Sequence, residues 1–233
     1  MKLKIGIIGA MDEEIEIIKN EMNIEIEEKI AKTYFYSGEF MGKDIVLVRC
    51  GIGKVNAAII TQILITKYDV DYVINTGVAG GVKDELNIGD IVISTDVIEH
   101  DFDATSFGYK LGEIPRLEIS EFKSDDNLID LVIDSTKKEL ENHEVFNGRI
   151  LSGDVFVANS EKKKFLWDTF EGYCVEMEGA AIGHACYINE TPFVIIRAIS
   201  DKADGSASNN FNEFVIKASQ NSVNILKRLF KKL

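Results

Sequence analysis

The chain has 233 residues, 45% hydrophobic and 28% charged, with only 2 prolines. That excludes a disordered or collagen-like polymer, and the length can bury roughly 70% of the extended-chain surface without staples, which points to one domain over residues 1–233. With 26 basic and 39 acidic residues the formal charge is −13, which argues against nucleic acid or an anionic membrane as partner. Cys50, Cys174 and Cys186 form no CxxC pair, so no disulfide framework or zinc knuckle is expected. Glycines and acids interrupt the opening MKLKIGIIGAMDEE before a signal or membrane run can build up, which predicts a soluble, reduced, cytoplasmic protein.

Short apolar runs alternate with segments of helical period, the pattern of an α/β protein with a buried, largely parallel sheet. Residues 3–9 are expected as the first strand and 12–22 as a helix. Residues 32–50 are expected as a β-hairpin or meander around Met41-Gly42-Lys43. The Gly51-Ile52-Gly53-Lys54 turn opens a helix to about residue 67. Residues 71–76 form a strand ending in the glycine loop Gly77-Val78-Ala79-Gly80-Gly81, and residues 90–95 form another strand. Residues 99–125 read as a long irregular excursion, a feature that is usually functional or interfacial. A helix at 127–141, a strand at 149–153, helices at 160–170 and 178–189, a strand at 193–200 and a closing helix at 211–232 complete the chain. No repeat or linker divides it.

Several clusters could carry chemistry. In GIIGAMDEE a strand turns into a helix, but Gly6 and Gly9 do not supply GxGxxG, and acids occupy the place of a pyrophosphate. Asp12, Glu13 and Glu14 have an ordinary role available as acids in a first helical turn. In the run 196–201 an apolar strand breaks into polar residues, where open α/β sheets place their ligands. Alternation puts Arg197, Ile199 and Asp201 on one side if the strand runs that far. The alternative makes Asp201 a turn residue and Arg197 its counter-ion. Glu176 and Glu178 flank Met177 just before a helix of small residues able to pack closely on a sheet. If buried, those acids cost several kcal/mol unless paired or bound to ligand hydroxyls; a solvated helix start is the alternative. Glu178 would suit vicinal hydroxyls. The two glycine turns allow backbone to approach a ligand, although GIGK is no P-loop. Phe107, Phe156 and Phe211 could stack on a planar ring, with core packing the ordinary alternative. His100, His143 and His184 lack metal-ligand spacing, so neither a metal nor a cofactor is assigned.

GIIGAMDEE, CGIGK, NTGVAGG, HDFDATSFGY, SGDVFV, VEMEGAA and RAISDKAD follow one another in this order along almost the whole chain. Together they resemble the 5′-methylthioadenosine/S-adenosylhomocysteine nucleosidases of the nucleoside phosphorylase superfamily. The resemblance implies a three-layer α/β/α sandwich with a mixed, twisted central sheet, and hydrolysis of the bond between adenine N9 and ribose C1′. It makes Asp201 the acid that protonates N7, Glu14 the carboxylate that activates water, and Glu178 the acceptor of both ribose hydroxyls, above Met177. Arg197 matches an arginine near the water and these carboxylates, and Glu176 falls among the substrate-binding residues. Phe156 matches the ring stacked on adenine and Val157 the backbone that reads its edge. Ala10, Met11, Ile52 and Phe211 match the lining of the ribose and alkylthio end. Ala104, Phe107 and Pro115 match residues that a second subunit contributes, so a homodimer is implied.

Two positions depart from the pattern. Val78 replaces a serine whose hydroxyl orients the proton-donating aspartate, leaving Ser200 or a backbone amide to take that task. Ala104 replaces a larger aliphatic residue, which implies a roomier alkylthio pocket worth about 1–3 kcal/mol of discrimination per methylene. Three rivals remain at this stage: a phosphorylase, a hydrolase of futalosine-type nucleosides with a bulky 5′ group, and a non-catalytic nucleoside binder. A phosphorylase of this superfamily needs arginines where this chain has GAMDEE and NTGVAGG. A binder would have no use for Glu14 and Asp201 together.

Overall fold

Strand β5 (Tyr72–Gly81) is the longest strand of the sheet and the one around which the molecule is organised. One of its edges pairs in parallel with β10 (Phe193–Asp201) from Val73 to Gly80. The other edge is shared. Tyr72 to Asn75 pair with β1 (Lys4–Gly9), and Gly80 and Gly81 pair antiparallel with the short β9 (Cys174–Glu176). Between those two partners, residues 76–79 leave a gap in the sheet, and a cavity opens there. The computed structural model describes residues 3–136, 143–205 and 211–232, without the side chains of residues 211–214 and 218.

From β1 the sheet continues through β4 (Lys43–Arg49), β3 (Thr33–Phe40) and β2 (Asn23–Ile30). On the other side β9 pairs with β8 (Val145–Ser152), β8 with β6 (Ile91–Glu99), and β6 with β10, which closes these strands into a ring with β5. Strand β7 (Glu121–Lys123) is added to the edge of β6. The β2–β3, β3–β4, β5–β9, β6–β7 and β6–β10 pairs are all antiparallel, so the sheet is mixed rather than largely parallel.

The layers follow from alternation along the strands. In β10, Val194, Ile196 and Ala198 face a core made with α1 (Asp12–Glu21), α3 (Asp126–Thr136) and α6 (Phe211–Lys232). Phe193, Ile195 and Ile199 face the opposite core, made with α2 (Lys54–Tyr68) and α5 (Gly179–Ile188). A third, smaller cluster lies under α4 (Ser160–Phe170), where Leu166 and Phe170 meet Val157 and Ala203. The three cysteines all belong to the α2/α5 layer; they are free and buried, and burial pushes each thiol far up.

Several expectations need correction. The glycine run 77–81 is strand, not loop, because β10 pairs with it as far as Gly80 and β9 pairs with Gly80 and Gly81. Its glycines make room for neighbouring side chains instead of a turn. The strand expected at 90–95 extends to Glu99, held there by β8. The expected 149–153 strand begins at Val145. The charged edge strand β2, exposed along nearly all its length and bulged between Ile24 and Ile26, shows no core alternation and escaped sequence reading. The three-residue β9 was too short to detect. The excursion is irregular as expected, apart from β7 and the 3₁₀ turn Thr105–Phe107. Of the helix expected at 127–141, residues 137–141 lie outside the described residues.

The reading of α5 as a helix for close packing holds. A Cβ added at Gly183 would stand 2.6 Å from Val97 Cγ2 and 2.8 Å from Phe193 Cζ. Gly183→Ala should therefore destabilise by about 1–3 kcal/mol through overpacking, outweighing the gain in helix propensity, as read from the midpoint of urea unfolding.

Candidate active site

Glu14 sits in the first turn of α1, directly after the chain leaves β1. Its Oε2 turns back to accept from the amides of Ala10 at 2.6 Å and Met11 at 3.0 Å, groups that a helix N-terminus otherwise leaves unpaired. Its Oε1 reaches across the gap in the sheet to the amide of Val78 at 3.0 Å. Asp12 and Glu13 stay in solvent, whereas Glu14 is buried, so the macrodipole alone does not account for it. Burial raises its pKa above the ordinary 4.5, with Arg197 and the three amides opposing.

Arg197 occupies the middle of β10 and is 1% exposed. Its Nη2 donates to Glu176 and, at 2.6 Å, to Asn75 Oδ1, while Nη1 lies 3.4 Å from the carbonyl of Val78. Glu14 Oε1 and Glu178 Oε2 stand 3.9 and 3.6 Å from the guanidinium. Arg197 therefore serves three glutamates and is not the counter-ion of Asp201. Asn75 is tied down in turn, donating to the carbonyl of Ile8 at 2.9 Å.

Glu176 ends β9, and Glu178 immediately precedes α5. Both are buried, which removes the alternative of a solvated helix start. Besides Arg197, Glu176 accepts from the amides of Glu178 and Gly179 and from Ser152 Oγ. Its oxygens are thus occupied by the protein itself. Among the described residues Glu178 accepts only the amide of Gly53, at 2.9 Å, besides its approach to Arg197. Burial, and then the neighbouring charge of Glu176, push its pKa well up.

Asp201 ends β10 beyond a register shift that follows Ile199. Its Oδ1 accepts from the amide of Ala203 at 2.8 Å and its Oδ2 from Ser200 Oγ at 2.9 Å. The support that a hydroxyl at position 78 would have given comes instead from Ser200 and a backbone amide.

These groups share one cavity of about 380 Å³. Ala10, Met11, Glu14, Ile52, Val78, Phe156, Val157, Glu176, Met177, Glu178, Arg197, Ser200 and Asp201 all line it. Ile52 and Phe156 are more than half exposed at its mouth, so Phe156 is not a core residue. The side chain of Phe211 lies outside the described residues. Ala104, Phe107 and Pro115 are not among the lining residues; Phe107 is 85% exposed, which also rules out core packing for it. Ala79 and Gly80 in the lining and the Gly53 amide in support belong to the two glycine segments already singled out, whereas sequence reading missed Val155 and Val175 in the lining and Asn75 and Ser152 in support. A polar residue inside the apolar runs YVINTG and RILSG was the available signal for Asn75 and Ser152, since burial demands a partner.

A family model described as the phosphorylase superfamily matches residues 4–231. The 5′-methylthioadenosine/S-adenosylhomocysteine nucleosidase of Staphylococcus haemolyticus is 43% identical over 230 residues, covering 98% of this chain and 100% of that protein. The chain belongs to this nucleosidase family. The crystal structure of the Neisseria meningitidis nucleosidase with methylthio-immucillin-A superposes with a TM-score of 0.93 at 43% identity, over 99% of each chain. The futalosine hydrolase of Helicobacter pylori is also similar, with a TM-score of 0.93 at 33% identity over 99% of this chain and 98% of that one. For a nucleosidase of this family, the α/β architecture and the run of motifs read from the sequence are both accounted for.

Gly77 makes the nucleosidase cluster sterically feasible. A Cβ there would stand within 2.4 Å of Glu14 Oε1 and 2.3 Å of Arg197 Nη1. Gly77→Ala should displace both charged groups and reduce kcat/KM by at least 100-fold, with a protein that still folds; steady-state kinetics together with circular dichroism check both halves.

Proposed function

We propose that the protein hydrolyses the N9–C1′ bond of 5′-methylthioadenosine and S-adenosylhomocysteine, and also of 5′-deoxyadenosine, releasing adenine and the 5-substituted ribose. The observation that carries this reading is the charge composition of the cavity. Four buried carboxylates surround a single guanidinium that three of them already engage. Among the described residues that line it the site has no cation to spare for phosphate, which favours water as the nucleophile over phosphorolysis.

The chemistry follows from where the acids lie. Breaking the glycosidic bond sends its electron pair to the base and leaves oxocarbenium character on C1′. Asp201 gives its proton to adenine N7, held in aim by Ser200 and the Ala203 amide. Water adds to C1′ and passes a proton to Glu14, whose burial makes it a stronger base than a free glutamate. The two carboxylates thus divide acid and base work as they do in inverting glycosidases. Glu178 takes the ribose hydroxyls, Phe156 stacks on adenine, Val157 reads the base edge, and Met11, Ile52 and Met177 enclose the sugar and its 5′ substituent. Val78 contributes its amide to Glu14 rather than a side-chain hydroxyl.

The same reading takes residues 1–233 as one catalytic domain and assembles two copies. Val55 and Ile59 on α2, Ile188 at the end of α5 and Phe107 all expose apolar side chains, as does Ile52 in the cavity lining, and such surface suits cover by a second subunit. Ala104, Phe107 and Pro115 then complete the partner's pocket. Among the described residues no helix is long and apolar enough to cross a membrane, which accords with a cytoplasmic location.

The decisive assay is adenine release from 5′-methylthioadenosine with and without inorganic phosphate. Free thioribose formed without phosphate is expected; a ribose 1-phosphate product would make the protein a phosphorylase. Activity confined to a nucleoside with a bulky 5′ group would make it a futalosine-type hydrolase. Glu14→Gln should abolish turnover while preserving nucleoside binding, and Asp201→Asn should cost several orders of magnitude in kcat. On the acid side, kcat/KM should fall with an apparent pKa above 4.5. Glu14 and Glu178 both have raised pKa values and are both needed ionised, so protons silence the site as the pH drops through those values.

A further inference from the structure

Two segments form facing rims of the cavity. The turn before α2 supplies Ile52, and the stretch after β8 supplies Val155, Phe156 and Val157. A closed polar ring that takes no part in the chemistry ties these rims together. The amide of Lys54 donates to Asp154 Oδ1 at 2.8 Å, and the amide of Asp154 donates to Asp101 Oδ2 at 2.8 Å. Lys54 Nζ then closes the ring on Asp101 Oδ1 at 2.6 Å. Behind it, Lys54 Nζ also meets Glu99 Oε2 at 2.9 Å, and Glu99 Oε1 lies 3.1 Å from His184 Nδ1.

Burial of the Lys54 side chain opposes its charge, but the hydrogen bonds it donates to Asp101 and Glu99 outweigh that and hold the ammonium charged. The ring therefore has the short, charge-assisted contacts that fix geometry best. What it fixes lies one residue away. The amide of Gly53 is the donor that Glu178 receives from the backbone, and Gly53 adopts φ +97°, a conformation suited to glycine. A Cβ at Gly53 would stand 3.0 Å from Asp154 Oδ1, so the turn, the aspartate and the glutamate are in register.

We propose that Asp154, Lys54 and Asp101 are positioning residues that clamp the Gly53 amide onto Glu178, so that this carboxylate presents a fixed face to the ribose hydroxyls. The inference rests on the assignment of Glu178 to the ribose. It places the effect of the ring on the sugar and not on the base, although Asp154 is close in sequence to Phe156.

The test uses the full-length enzyme with Asp154→Ala and Asp154→Asn, because the exposed Asp154 side chain can be altered without opening the core. KM and kcat for 5′-methylthioadenosine are measured beside the inhibition constant of free adenine and the Tm. Loss of one charged acceptor should raise KM about tenfold in Asp154→Ala, with kcat changed less, adenine inhibition within about twofold of wild type and Tm unchanged. Asp154→Asn keeps an oxygen for the Lys54 amide and should recover most of the KM. An unaltered KM in Asp154→Ala overturns the clamp. So does a parallel loss of adenine affinity, which would assign the ring to the Phe156 rim, or a failure of Asp154→Asn to recover. Wild-type protein that releases no adenine would overturn the nucleosidase reading and the clamp with it.

Discussion

One guanidinium buried among three carboxylates is the constraint on which this structure turns. An unpaired charge at that depth would cost several kcal/mol, so Arg197 and its glutamates are stable only as a set. The set nevertheless carries more negative than positive charge, and the excess is borne by backbone amides at the start of α1, at Val78, at Gly53 and at the start of α5. These amides come from separate elements. Folding of the sheet and its helix ends is thus a condition for the acids to be buried at all. Removing Arg197 alone would strand three carboxylates, a far larger disturbance than losing a contact to substrate.

The cavity is a consequence of how β5 is shared. With β1 taking the first part of one edge and β9 the last, the middle of the strand keeps an amide free to hold Glu14. Glycine at position 77 leaves room for the two charged groups that meet there. A continuous partner strand would have consumed that amide and filled the gap. Catalytic machinery and sheet topology are therefore one feature here, not a site decorating a scaffold.

Much of this was legible in the sequence, for reasons that can be named. The helices at Ser160–Phe170 and Phe211–Lys232 were placed to the residue, because helical period and flanking polar residues mark their ends. The acids of GAMDEE, VEMEG and RAISD stood out as charges beside apolar strands. What remained hidden depends on contacts distant in sequence. Nothing local shows that Gly53 will meet Glu178, 125 positions away, or that a glycine run will be pinned as strand by β10. Arg197 was seen, and the resemblance set it near the carboxylates, but the residues alone offered Asp201 as its partner, since Asp201 is nearer in sequence and Glu176 nearer in space.

The three thiols of the α2/α5 layer offer a further use. Each belongs to a different element or its end, and all are protonated and enclosed in the same apolar cluster. A thiol reagent has no target on the folded surface, so its reaction rate counts how often that layer separates from the sheet. The native sequence thus carries its own opening clock. A single cysteine introduced at the surface could also bear a fluorophore with no need to remove the natural ones.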